Sequence, residues 1–360
     1  MEVLYLAYAV YGFTFAFISL AVQYSLVNDF SYDSSSLAFA WSCISAPWTL
    51  KPVYGYISDK AGRRICICCG AFAAAVLLLV QAQSNSDPVF FMMLISLSVC
   101  FADVASDSIV VTRTKTHGKA VQTNCWSART FGSMIGTGLS GLSYEWMGYN
   151  NVLRVASVGP FILAVLIWEI EEPVIVKSSV KLALKSVYNM RTLILIAIFF
   201  GLMPEISNAL FPTIKEKLEP VEISLVSVSG SLSACILSFF FQYTNNVFHT
   251  SLRAAVVLSM MCGILAFWTY AGSTPFATEI ARSIIGGIDG MLFVLPMVTK
   301  AAEMSSDGSE GVSYALFVSI MNLSGVIGEL FEGMVLNWIG DMGVFLICAT
   351  VWSWLPLLVI

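Results

Sequence analysis

Charge is scarce in this sequence. Eighteen Lys and Arg with twenty-three Asp and Glu make up 11% of 360 residues, while 58% are hydrophobic. A soluble domain carries about 25% charged residues, so the composition excludes one. Histidine is scarcer still. His117 and His249 are the only two, and both fall between apolar runs. No Ser-His-Asp set, HExxH or phosphate-cradling glycine loop is present, which argues against an enzyme and against a bound cofactor. The basic residues form short clusters and no stripe, so nothing points to nucleic acid. The nine cysteines build no disulfide framework, because most sit inside apolar runs. Cys66, Cys68 and Cys69 lie together, but neither a histidine nor a second cysteine pair accompanies them, and no metal site is expected. A positively charged leader is lacking too: only Glu2 precedes the first apolar run, which is read as a true span.

What remains is hydrophobic length. The mean hydropathy is +0.81, and a spanning helix needs about 20 mostly apolar residues. Twelve runs qualify, near 3–28, 36–58, 65–83, 88–112, 119–142, 150–170, 191–213, 221–244, 252–272, 275–300, 311–337 and 342–360. The expected fold is an all-α integral membrane protein with about twelve transmembrane helices in two six-helix bundles. The divisions are 1–171 and 191–360, joined by a loop at 172–190 carrying Lys177, Lys181 and Lys185. With a cytoplasmic N-terminus, twelve loop cations face the cytoplasm and three face out. Cytoplasmic loops are enriched in Lys and Arg, so both termini are placed on that side. A plasma membrane and an organelle envelope suit the pattern equally. Residues 127–141 and 319–333 align without gaps, matching Ser127 with Ser319, Ile135 with Ile327, Gly136 with Gly328 and Gly141 with Gly333.

Charges inside spans are costly, on the order of 2.5–3.5 kcal/mol at the centre of a helix, so each one needs a reason. Lys51, Asp103, Asp107, Arg129, Glu205, Arg282, Asp289, Glu329 and Glu332 all lie inside, with Glu279 near an edge. Asp103 and Asp107 sit one turn apart on one helix face, and two close carboxylates disfavour double ionisation. Arg282 and Asp289, seven apart, also share a face, beside Gly286, Gly287 and Gly290. Each charge has a plain structural alternative as half of an ion pair locking helices together, such as Arg129 with Asp103 or Asp107.

The stretch PWTLKPVYGYISDKAGRR at 47–64 holds Gly55, Asp59, Gly62, Arg63 and Arg64. Gly55 lets two helices approach closely and Gly62 permits a tight turn. Asp59 is placed to accept N–H groups of the next helix. The pattern resembles the loop between the second and third helices of major facilitator superfamily transporters, where it acts as a conformational gate. PWTLKP with YISD, FADVASDSIVV at 101–111, CWSARTFGSMIG at 125–136 and SEGVSYALFVSIMNLSG at 309–325 together resemble the folate–biopterin transporter family of that superfamily. Thr112 stands where the family usually has a glutamate. The resemblance implies a monomeric transporter moving a small molecule, a folate or pterin, across the lipid bilayer, together with protons. Lys51 and Arg129 then serve carboxylates, with Arg129 favoured for its fork; Asp103 or Asp107 serves the ring. Arg282 and Asp289 join the substrate site, and Asp107, Asp103 and Glu205 carry the proton. The alternatives are another solute (sugar, amino acid or organic anion) and a non-transporting sensor or scaffold.

Overall fold

The computed structural model describes residues 2–84, 86–118, 120–170, 180–204, 206–244, 247–272, 275–305 and 310–360. These residues are helical apart from short connections. Span 1 is Glu2–Asn28. Span 2 opens at Ser34–Ser45, where Asp33 accepts the Ser36 N–H at 2.8 Å. That bond holds the exposed Asp33 carboxyl below the usual carboxylate range. Span 3 is Arg63–Gln81, and span 4 is Pro88–His117, capped by Asp87. Spans 5 and 6 begin as one hydrogen-bonded run, Ala120–Ala156, broken at Gly148, whose φ of 71° only glycine adopts easily. Span 6 continues through Val158–Leu166. Span 7 starts at Arg191–Gly201. Spans 8 to 11 are Pro220–Phe241, Phe248–Ala271, Pro275–Met304 and Glu310–Ile339, and span 12 starts at Met342–Trp352.

Among the described residues, nine apolar stretches are long enough to cross a membrane. One of them, Ala120–Glu169, has 50 residues and holds two crossings around Gly148. Met342–Leu358 is a shorter apolar helix. Residues 34–61 add the twelfth crossing in two pieces.

Three expectations need correction. Span 2 is not continuous: a 3-10 turn, Ala46–Leu50, separates Ser34–Ser45 from Lys51–Ala61. Pro47 lies at its start and Pro52 just beyond its end, and each removes an N–H that an α-helix would use. Span 7 is also divided, resuming at Ile206–Lys217 after Pro204. The central loop carries a helix of its own, Val180–Asn189, while 171–179 lie outside the described residues.

Glycines set the closest packing. A Cβ on Gly12 would lie 1.9 Å from the Arg129 carbonyl oxygen, and one on Gly132 2.0 Å from that of Ala9, so spans 1 and 5 touch backbone to backbone. The glycines matched in sequence do equivalent work. A Cβ on Gly136 would meet Phe13 O of span 1 at 2.6 Å, and one on Gly328 would meet Gly201 O of span 7 at 2.4 Å. Gly141 of span 5 faces Pro220 of span 8, and Gly333 of span 11 faces Ser35 of span 2. Exposed Trp146, Trp268 and Trp338 cluster towards the end of the bundle that carries Asp33, as interfacial aromatics do.

The two bundles meet at both ends. At the Asp33 end Gln23 Nε2 donates to Asn208 at 3.2 Å, Lys215 reaches Asn28 at 2.5 Å, and Tyr24 packs edge-on against Phe211. At the Asp59 end Gln122 donates to the Tyr314 hydroxyl at 2.9 Å, and Gly55 faces Ala315. Between them, Asn322 donates to the Trp48 carbonyl at 3.0 Å and Ser319 to that of Thr49.

Candidate functional site

A buried charge cluster occupies the first bundle. Lys51 is the first residue after the 3-10 turn, which aims its ammonium inward. Its Nζ lies 2.9 Å from Asp103 Oδ2 and 3.2 Å from Asp107 Oδ2. Arg129 Nη1 lies 3.1 Å from Asp103 Oδ1. The Tyr8 hydroxyl donates to Asp107 Oδ1 at 2.5 Å. Trp48 lies under both cations, 5.0 Å from Lys51 Nζ and 5.7 Å from the Arg129 guanidinium, with Trp126 on another side of Arg129. Its own indole N–H is satisfied by Ser96. Two cations against two carboxylates leave the cluster balanced. Burial of this kind is tolerable because every charge has an opposite neighbour and further hydrogen bonds.

A cavity of about 690 Å³ lies elsewhere, between the bundles. Span 5 contributes Thr130, Ser133 and Thr137, span 1 Gln23, and spans 7 to 10 most of the remainder. Its charged wall belongs to span 10: Glu279, Arg282 and Asp289. Arg282 grips Glu279 with Nε at 2.9 Å from Oε1 and Nη2 at 2.6 Å from Oε2, and its Nη1 donates to Ser207 at 3.0 Å. Glu279 is fully buried and also accepts the Thr269 hydroxyl at 2.7 Å. Asp289 accepts from Ser259 at 2.6 Å.

The sequence-derived candidates thus separate into three places. Lys51, Asp103, Asp107 and Arg129 come together, but none of them is among the described residues lining the cavity. Arg282 and Asp289 both line it, yet Arg282 pairs with Glu279, three residues away, and not with Asp289. Glu205 lies outside the described residues. Glu332 is buried in span 11 and is not among the described residues lining the cavity. The loop expected to act as a gate forms a third group. Gly62, at φ 96°, makes the turn between spans 2 and 3. Asp59 does not cap span 3, which starts at Gly62 without a side-chain cap; it approaches the Arg63 guanidinium at 3.6 Å. Arg63 in turn reaches the Ser108 carbonyl of span 4, with Arg64 half-buried beside it. A Cβ on Gly55 would lie 3.7 Å from Val104 and 3.8 Å from Ala315, ordinary contact and not a forced close approach.

Tyr8, Trp48, Ser259 and the pairing role of Glu279 were not foreseen. Tyrosine, tryptophan and serine barely mark a hydropathy profile. A signal for Glu279 did exist, since it stands three residues before Arg282 on one helix face.

Twelve crossings in two bundles around a central cavity define the major facilitator fold. The nucleoside transporter NupG superposes with a TM-score of 0.72 at 14% identity, over 99% of this chain and 97% of that one. The human organic anion transporter MFSD10 gives 0.75 at 15% over the same shares, and the xylose transporter XylE from E. coli 0.70 at 13%, over 98% and 96%. These likenesses establish the architecture. The chain belongs to the BT1 family, whose sequence profile matches residues 11–276. A folate-biopterin transporter of Synechocystis sp. is 26% identical across a 353-residue alignment, covering 89% of this chain and 72% of that protein. The protein is a membrane transporter of this family.

Proposed function

We propose that this transporter moves folate- or pterin-like solutes by alternating access, with proton coupling. The observation that supports it most is the central cavity, which has a mixed polar and apolar lining with charge on one wall, and lies between bundles that touch towards each end. Its volume falls within the range of small-molecule sites, about 300–1,000 Å³. The Synechocystis relative's name supplies the solute class. In this reading both termini are cytoplasmic, 1–171 and 191–360 are the moving halves, 172–190 is their cytoplasmic connection, and the monomer is the working unit. Solute enters against Arg282 and Asp289.

The balanced cluster of Lys51, Asp103, Asp107 and Arg129 has a different task. It borders the cavity through the chain, since Thr130 and Ser133 follow Arg129 on span 5. Asp107 is the proton carrier in this reading, as the carboxylate nearer the Asp59 end and the one hydrogen-bonded by Tyr8 in place of Arg129. Glu205 remains a second candidate. Opening the cavity to one side requires the halves to part at that end, and the loop of Gly55, Asp59, Gly62, Arg63 and Arg64 gates the Asp59 end.

Uptake into proteoliposomes tests this directly, with folate, biopterin, a sugar and an amino acid supplied with and without an inward proton gradient. Pterin or folate uptake that rises with the gradient is expected. Asp107→Asn should abolish gradient-driven accumulation while leaving exchange at equal concentrations. Uptake of the sugar or the amino acid alone would refute the solute class, and accumulation by the Asn variant would move the proton to another group.

A further inference from the structure

The charge balance of the cavity wall points to a narrower choice of solute than its size does. Among the described lining residues Arg282 is the one cation, against the carboxylates Glu279 and Asp289. A folate brings two glutamate carboxylates into this net negative wall, whereas a biopterin brings none.

One edge of the guanidinium is also already occupied. Its Nε and Nη2 form a fork on Glu279 at 2.9 and 2.6 Å, the geometry by which arginine takes a carboxylate from any source. Glu279 is three residues away on the same helix, fully buried, and fixed from behind by Thr269. A solute carboxylate that takes this same fork must displace Glu279, and a displaced Glu279 is a buried charge without its cation. Glu279 therefore fills the place a solute carboxylate would take.

Asp289 offers the opposite chemistry. Seven residues from Arg282, it stands about 10 Å along the helix axis on the same cavity-facing side, with Ser259 donating to it at 2.6 Å. A carboxylate has two oxygens that accept parallel bonds from a pair of neighbouring N–H donors. The amino group and adjacent ring N–H of a pterin are such a pair, and they are neutral. Phe200 also lines the cavity and stacks on Phe293 with ring centroids 4.2 Å apart.

Building on the solute class argued above, we propose that the cavity selects a neutral pterin over its glutamate-bearing folate. Asp289 recognises the N–H edge, and Glu279 excludes the carboxylates by holding the Arg282 fork.

Equilibrium binding of biopterin and of folate to the purified full-length protein tests the assignment. Wild type is expected to bind biopterin at least tenfold tighter than folate. Asp289→Asn, which keeps the shape and loses the charge, should weaken biopterin at least tenfold. Glu279→Gln, which loosens the fork, should tighten folate and narrow the ratio between the two. Equal or tighter folate binding by wild type overturns the proposal, and this measurement needs no variant, so misfolding of Glu279→Gln leaves it testable. Undiminished biopterin binding by folded Asp289→Asn overturns it as well. If wild type binds neither compound, the solute class fails and this selectivity with it. That outcome is distinguishable from the first two, in which at least one compound still binds.

Discussion

At the scale of single residues the charge cluster shows how one ion sets the needs of another. Asp103 has two cations, Lys51 and Arg129, while Asp107 has Lys51 and the Tyr8 hydroxyl. Removing one partner of a buried pair costs roughly 3–5 kcal/mol, because the other charge is left behind. Lys51→Met is therefore expected to destabilise by about that amount, and the loss should fall on Asp107, since Asp103 keeps Arg129. Adding Asp107→Asn to Lys51→Met should recover more stability than adding Asp103→Asn, read as the midpoint of thermal unfolding in detergent. Equal recovery by the two would mean that Lys51 serves both aspartates alike. The presence of these charges was legible in the sequence, as was the pairing of Arg129 with an aspartate as one of two options. Which aspartate takes which cation was not, because it depends on helix rotation and on the 3-10 turn that aims Lys51.

At the scale of elements, glycine decides which helices touch, and glycines that look alike in sequence do different things. Gly286, Gly287 and Gly290 read as one deformable stretch of span 10. In the fold a Cβ on Gly287 would sit 2.1 Å from the Gly230 carbonyl of span 8, one on Gly286 would have only Cys262 Sγ at 3.8 Å, and one on Gly290 would meet nothing within 4 Å. Overpacking costs about 1–3 kcal/mol, so Gly287→Ala should lower the melting temperature by several degrees while Gly290→Ala leaves it unchanged. A matched effect of the two would mean that flexibility, not close packing, is what span 10 takes from glycine. Span 2 makes a similar point about proline. Pro52 has no N–H to return to the Trp48 carbonyl four residues back, and Asn322 of span 11 supplies a donor from the other bundle. A local break thus becomes a contact between halves, one that any rocking motion must break or carry along.

At the scale of the whole molecule, contacts join the two bundles towards both ends. The proposed alternating access requires them to part at one end at a time. Cysteines at Gln23 and Asn208, introduced in a form lacking the nine native ones, should form a disulfide that stops uptake until a reductant is added, and a pair at Gln122 and Tyr314 should do the same from the opposite end. Full uptake with either pair locked would show that the halves do not separate there. In the same background, single cysteines at Asp33 and Lys185 should label from opposite sides of the membrane. Labelling of both from one side would reverse the cation-based orientation.

The sequence alone determined the class of fold, because in lipid each backbone polar group must find its partner within its own helix, and only long apolar runs satisfy that. It also determined which charges had to be explained, since an ionised group in hydrocarbon is too costly to be incidental. The pairing of Gly136 with Gly328 and Gly141 with Gly333, thin as an alignment, marked sites that make equivalent contacts in the two bundles. Only the tertiary structure decided which of these charges line a cavity. Six charges that look equivalent along the chain divide into a closed, self-compensated cluster, Lys51, Asp103, Asp107 and Arg129, and a cavity wall with Arg282 and Asp289. The reason is geometric. Charge and hydropathy are properties of a residue, whereas whether a side chain faces a neighbour's carboxylate or open space depends on how far two helices approach and how each is turned about its axis. Those quantities are set by glycines, prolines and contacts distant in sequence.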